Sequence, residues 1–252
     1  IGLIVAVVAL LITYGVCRNE KCLDEDFAHI TYALMFIVIG SIFNMVLSAS
    51  CITSEKETRS WPILLATSMD DWYILLGKAV GVFRRCLPFW LFLAGHVAFF
   101  ISVRYIHPIA LPHLFMLVSG LVVFLTGTGI YFSTRFKHTT SAVVASFGLA
   151  LFLWAVVPML LGFLMAVTRD GKVLETYLCA NPATQVTVIM GGAAGKWNAR
   201  DTLSALDYNW PNNRWDGVGA TTGVLFAYML MYISVGLFFA WRAKRLFRRR
   251  IF

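Results

Sequence analysis

The chain has 252 residues, of which 59% are hydrophobic and only 13% charged, with a mean hydropathy of +0.75. Soluble domains sit near half apolar and a quarter charged, so this balance excludes one and predicts an all-α integral membrane protein. The net charge of +8 is no sign of nucleic-acid binding, because six basic residues (Arg242, Lys244, Arg245, Arg248, Arg249 and Arg250) crowd the last eleven positions. Without that tail the chain is near balance.

Six apolar runs, at about 1–16, 29–52, 87–106, 112–133, 141–167 and 218–241, predict six transmembrane helices. A helix needs roughly 20 residues to cross about 30 Å of hydrocarbon, and five of the runs suffice. The first covers only about 24 Å at 1.5 Å per residue, and it opens on Ile1, so further N-terminal sequence is expected to complete it. A signal peptide fits poorly, since neither a basic leader nor a small-residue cleavage site flanks Tyr14 to Cys17.

Loop charges then set the orientation. Loop 17–28 carries more acid than base and reads as outside, whereas segment 53–85 holds Lys56, Arg59, Lys78, Arg84 and Arg85 and reads as inside. The turn from Arg104 to Pro112 reads as outside, Arg135 to His138 as inside, and loop 168–217 as outside by alternation. Both termini are expected in the cytoplasm, with the basic tail also touching anionic lipid. Cys17, Cys22 and Cys179 fall on the outer side, where disulfides can form, and no CxxC pair marks a zinc site.

Segment 53–85 is the unusual connection. Helix-favouring residues run on from Ile52 through Glu57, and Ser60-Trp61-Pro62 then marks a short new helix carrying Ile63, Leu64 and Leu65 and ending by Thr67. Ser68 to Asp71 resembles a capping box, after which Trp72, Leu75, Leu76, Ala79 and Val82 recur at helical spacing. This third piece is expected to be an interfacial helix leading into span three near Leu87. A helix as short as the middle one is unstable alone in water and must dock on something. In loop 168–217, the apolar stretch from Leu178 to Gly195 is interrupted at Asn181-Pro182 and Gly191-Gly192, which suits half-helices dipping into the outer leaflet as a re-entrant segment. Trp197, Tyr208, Trp210 and Trp215 suit a surface loop at headgroup level.

Catalytic readings find little support. Gly191-Gly-Ala-Ala-Gly195-Lys196-Trp197 is one residue short of a phosphate-binding loop and lacks its Ser or Thr, so it reads as a turn. His96 lies mid-span with no second ionisable residue counted in the spans, and reads as a neutral imidazole bonded to a neighbouring helix. Asn44 in span two is treated alike, as a packing or pathway residue. No His-Glu-x-x-His is present, and Glu55 and Glu57, two apart, face different sides of a helix, against a protease. Gly120, Gly127 and Gly129 offer a small-residue face for helix packing, and Pro158 is expected to kink span five.

Glu55-Lys-Glu-Thr-Arg59, Ile63-Leu-Leu-Ala-Thr67 and Trp72-Tyr-Ile-Leu-Leu-Gly-Lys78 together resemble the signature "E-x-E-x-G-T…L-L-x-T-P…W-x-I-L-x-G-K" of the permease subunits of type-2 ABC exporters, the type V exporter fold. Ser133-Thr-Arg-Phe-Lys-His-Thr-Thr-Ser-Ala142 is similar to that family's turn between spans four and five, and Asn181-Pro182 to its re-entrant segment. The chain departs from the pattern at Arg59-Ser60, where Gly-Thr is usual, at Thr67-Ser68, where Thr-Pro is usual, and at Pro62. The elbow helix that ordinarily precedes span one is not in the sequence. The resemblance implies one permease domain over 1–252, paired with a second permease and driven by separate ABC ATPase subunits that bind the ATP and Mg. It further implies that Trp61, Leu64 and Leu65 anchor a coupling helix, with Glu55, Glu57, Arg59, Thr67, Gly77 and Lys78 around it. The rival readings are a channel or secondary transporter, which would need inverted repeats or charged pathway residues, and a membrane-embedded enzyme.

Overall fold

The computed structural model describes residues 2–19, 25–60, 70–195, 203, 206–215 and 217–247. Its elements are helical: α1 (Gly2–Asn19), α2 (Asp26–Glu57), α3 (Asp71–Ser102), α4 (Ala110–Arg135), α5 (Thr139–Thr168), α6 (Lys172–Ala180), α7 (Pro182–Ala193) and α8 (Val218–Phe247). Among the described residues there is no strand, only an isolated antiparallel bridge between Ile106 and Ala194. Five helices are long and apolar enough to cross a membrane: α2, α3, α4, α5 and α8. α1 has 18 residues and spans about 27 Å.

α4 is the centre of the bundle, with 67% of its most apolar window buried against 6% for α5. It packs on α8 and α2 most extensively, and also on α3, α5 and α7. Small residues allow the α4–α8 approach: a Cβ on Gly127 would overlap the backbone of Gly236, and one on Gly236 would meet the backbone of Val123 and Phe124. Lipid is as apolar as a side chain, so close van der Waals contact rather than water exclusion holds such helices together. Asn44 is fully buried in the α2–α4 seam, where its Oδ1 accepts from Thr126 Oγ1 at 3.0 Å and its Nδ2 donates to the Val122 carbonyl at 3.5 Å.

Three expectations are corrected. The interfacial helix and span three are one unbroken 32-residue helix, α3, about 48 Å long. Gly77 and Gly81 do not interrupt it, because an isolated glycine costs a helix only about 1 kcal/mol. Its N-cap residue is Asp70, without a side-chain cap bond, and Ser68 lies outside the described residues. α7 runs straight through Gly191-Gly192, so the break in this region is the one at Asn181. Tyr208 and Trp210 are buried instead of lying at a surface: Trp210 Nε1 donates to Thr221 Oγ1 at 3.0 Å, and Tyr208 packs edge-on to His113. Trp197 is outside the described residues. Cys17, Cys51, Cys86 and Cys179 are free thiols.

The glycine seam gives a direct check. Gly127→Ala forces backbone apart and should cost about 1–3 kcal/mol of stability. Gly148→Ala, with no atom within 4 Å of its Cβ, should cost nothing. Thermal unfolding of the purified variants in detergent separates the two, and equal midpoints would contradict the packing.

Candidate functional site

The last turn of α2 is a junction. Glu55, Lys56 and Glu57 are consecutive, and successive residues on a helix point about 100° apart. Each therefore meets a different neighbour. Glu55 Oε1 pairs with Lys78 Nζ of α3. Lys56 Nζ donates to three main-chain carbonyls, those of Ser133 (2.9 Å), Thr134 (2.7 Å) and Phe136 (3.0 Å), at the C-terminus of α4. Glu57 accepts from the Thr139 N–H at 2.7 Å through Oε1 and from the Thr139 hydroxyl at 2.8 Å through Oε2, at the first residue of α5.

The electrostatics explain the order of charges. Where α4 ends and α5 begins, carbonyls without helical partners face N–H groups without helical partners. The carbonyl end is partially negative and the N–H end partially positive, so a cation suits the first and an anion the second. Lys56 and Glu57 supply them side by side. The two Thr139 bonds, with a smaller contribution from His138 at 3.8 Å, hold the Glu57 carboxyl below the usual carboxylate range. The cap is therefore present above the ordinary carboxylate pKa and is lost as pH falls through the lowered one. Further contacts tighten the junction. The Ser133 hydroxyl accepts from the Ile52 and Thr53 N–H groups at 2.9 and 3.0 Å, and the Thr53 and Thr139 hydroxyls lie 3.0 Å apart.

α2 then stops in a Schellman motif. The Arg59 N–H bonds the Lys56 carbonyl at 3.2 Å and the Ser60 N–H bonds the Glu55 carbonyl at 3.1 Å, with Arg59 left-handed at φ 58°. Glycine is the residue suited to this place, and this chain has Arg where the family pattern has Gly. Trp61, Leu64, Leu65 and Thr67 lie outside the described residues. Beyond them, Asp70 at the start of α3 meets Lys244 of α8 at 3.7 Å, and Lys244 also lies over the Trp72 ring. Gly77 is exposed on α3 with nothing near its Cβ position.

The other predicted residues lie elsewhere. His96 on α3 is buried, with the Tyr14 hydroxyl of α1 against its Nδ1 and the rings of Tyr32, Phe36 and Phe100 around it. It is not alone, since the His29 ring of α2 is 5.8 Å away, centroid to centroid. His29 is the first residue of the second apolar run and His113 the second residue of the fourth, so His96 shares the spans with other ionisable residues. Pro158 follows a π-helical turn at Phe152–Val156 within α5. A proline N cannot donate, so the carbonyls of Leu153 and Trp154, its π and α acceptors, are left open. Tyr177 OH donates to the first at 2.7 Å and Asn181 Nδ2 to the second at 2.9 Å.

At the α6–α7 break, Asn181 Oδ1 caps the Ala183 N–H, Gln185 Nε2 donates to the Cys179 carbonyl and Tyr232 OH to the Ala180 carbonyl. Lys56, Ser133, Thr139, Tyr177 and Tyr232 are the functional candidates that sequence reading missed. The sequence places Lys56 between two acids on one helical turn, which sends it in a third direction but does not name its carbonyl partners.

The junction joins residues from three separated stretches of sequence, 52–60, Lys78 and 133–139. A profile described as ABC-2 family transporter protein matches residues 7–250. The chain belongs to that family. It is thus a multi-pass membrane protein of the permease type, and ABC-2 permeases in general work with an ABC ATPase. No curated protein matches the chain. Within the ABC-2 pattern the geometry gives the signature residues separate tasks: the first Glu pairs with the Lys of the closing Gly-Lys, the second caps α5, and the Gly position is the left-handed helix stop.

Two substitutions test this division. Arg59→Gly removes a left-handed non-glycine residue and should stabilise by about 1 kcal/mol. Lys56→Met strips the α4 carbonyls of their donor and should destabilise by about 1–3 kcal/mol. The unfolding midpoint should rise for the first and fall for the second. A shift in the opposite direction for either would contradict its assignment.

Proposed function

We propose that the chain is the membrane-spanning subunit of an ATP-driven exporter in the cell membrane, one permease domain with six spans and both termini in the cytoplasm. A coupling helix near Trp61 to Ala66 sits on a separate ABC ATPase subunit that binds the ATP and Mg. The observation that carries this reading is the junction at Glu55, Lys56 and Glu57, where one helical turn grips α3, α4 and α5 just before that segment. Force delivered to that helix would reach four helices through the junction. Apolar Trp61, Leu64 and Leu65 supply the anchors a docking helix needs, and Glu55, Glu57 and Arg59 the polar rim.

Further features support the arrangement. Basic residues gather in the 53–85 and 135–138 segments and in the tail, as the positive-inside rule asks of a cytoplasmic side. α6 and α7 would form the re-entrant pair of the outer leaflet, since irregular backbone is tolerated at membrane depth only where protein covers it, and the α6–α7 break is so covered. α5 is a strongly apolar span with little cover inside one chain, which a second permease would shield. Loss of transport and of transport-coupled ATP hydrolysis by Leu64→Asp, at normal expression and unfolding midpoint, is the expected result. Wild-type transport by that variant would sink the coupling assignment.

A further inference from the structure

Away from the junction, an open-sided cavity of about 790 Å³ lies between α5, α6 and α8, with Phe124 of α4 at its back. Small-molecule sites fall in this range of volume and are mostly apolar with a few placed polar groups. Its walls include Leu153, Trp154, Val173, Tyr228, Met231 and Val235, and four polar side chains among its lining residues already donate within the protein. Tyr177 and Asn181 donate to the carbonyls freed by Pro158, Tyr232 donates to Ala180, and Thr176 Oγ1 donates to the Lys172 carbonyl at 2.7 Å. A ligand here therefore meets apolar and aromatic surface.

One charge completes the cavity. Among the described residues, Lys172 is the charged side chain that lines it, exposed at the start of α6. Asp170 Oδ1 binds the Lys172 main-chain N–H at 3.1 Å, and Glu175 lies near Gly171, but neither acid lines the space. Lys172 follows the end of α5 at Thr168, so the cation stands where a span leaves the apolar layer while Phe124 lies mid-helix in α4. An apolar slot that begins at a cation and runs inward has the shape and charge of an anionic phospholipid.

We propose that this cavity is a binding site for an anionic phospholipid of the surrounding leaflet, its headgroup on Lys172 and a tail between α5 and α8. The occupant would lie against the Tyr177 and Asn181 bonds that close the π-helical turn, so that the lipid and the turn are in contact. The site is distinct from the basic tail and needs no ATPase.

Tryptophan quenching by tail-brominated lipids tests it on the full chain in mixed micelles without ATP. Brominated phosphatidylglycerol should quench a saturable component at about a five-fold lower mole fraction than brominated phosphatidylcholine, the weight of one cation near a membrane surface. That component should vanish in Trp154→Phe, which keeps the carbonyl that Asn181 binds, and in Val235→Phe, which fills the slot. The headgroup preference should persist in Lys172→Arg and disappear in Lys172→Glu. Equal quenching by the two lipids, or an unchanged preference in Lys172→Glu, would overturn the site. Because no ATPase or transport enters the measurement, that outcome would leave the coupling assignment untouched.

Discussion

The arrangement depends on two adjacent side chains of α2 capping two opposite helix ends. Lys56 holds the carbonyl end of α4 and Glu57 the N–H end of α5, so the turn at Phe136 to His138 is fixed from a third helix. Charge at a helix end is ordinarily worth about 0.3–1 kcal/mol, and hydrogen bonds to a charged group about 1.5–3. The second figure governs Lys56, which is half-buried and meets three carbonyls at hydrogen-bonding distance. The Glu55–Lys78 pair is similarly half-buried and adds less by itself, since such pairs are screened. Its value is geometric, since it ties α3 to the same turn.

The remaining structure follows from holding α5 at two places. Its first residue is fixed to α2, and its middle is fixed to α6 and Asn181 through the carbonyls that Pro158 leaves open. In a membrane an unpaired carbonyl costs several kcal/mol, so a proline-broken span needs donors from elsewhere. Tyr177 and Asn181 provide them, and Gln185 and Tyr232 do the same for the α6–α7 break. The proline and the helix break are thereby one unit. α4, wedged on α8 by Gly127 and Gly236, is the fixed body against which α5 is held.

Much of this was legible in the sequence, for definite reasons. Apolar runs longer than a bilayer is thick predict spans directly, and five of the six reappear as helices of that length and character. Asn181-Pro182 marked the broken helix because Asn caps and Pro starts helices. The division of segment 53–85 was read less well, since nothing between Asp71 and Leu87 is strong enough to end a helix. Glu55 and Glu57 were recognised as facing different ways, but Lys56 between them was passed over because its partners are carbonyls. Main-chain acceptors carry no sequence label, and the donors Tyr177 and Tyr232 were invisible for the same reason. By composition the loop rings of Tyr208 and Trp210 suit a surface, whereas Tyr208 is buried against His113 of α4 and Gly192 of α7, and Trp210 against Thr221 of α8.

The central claim is that the turn between α4 and α5 moves with the end of α2. Hydrogen exchange on the permease bound to the proposed ATPase partner measures this directly. ATP should change the protection of residues 53–60 and 135–139 together in the wild type, and Lys56→Met should uncouple them, leaving 135–139 unresponsive. An ATP response at 135–139 that survives Lys56→Met unchanged, or one confined to 53–60 in the wild type, would contradict the account.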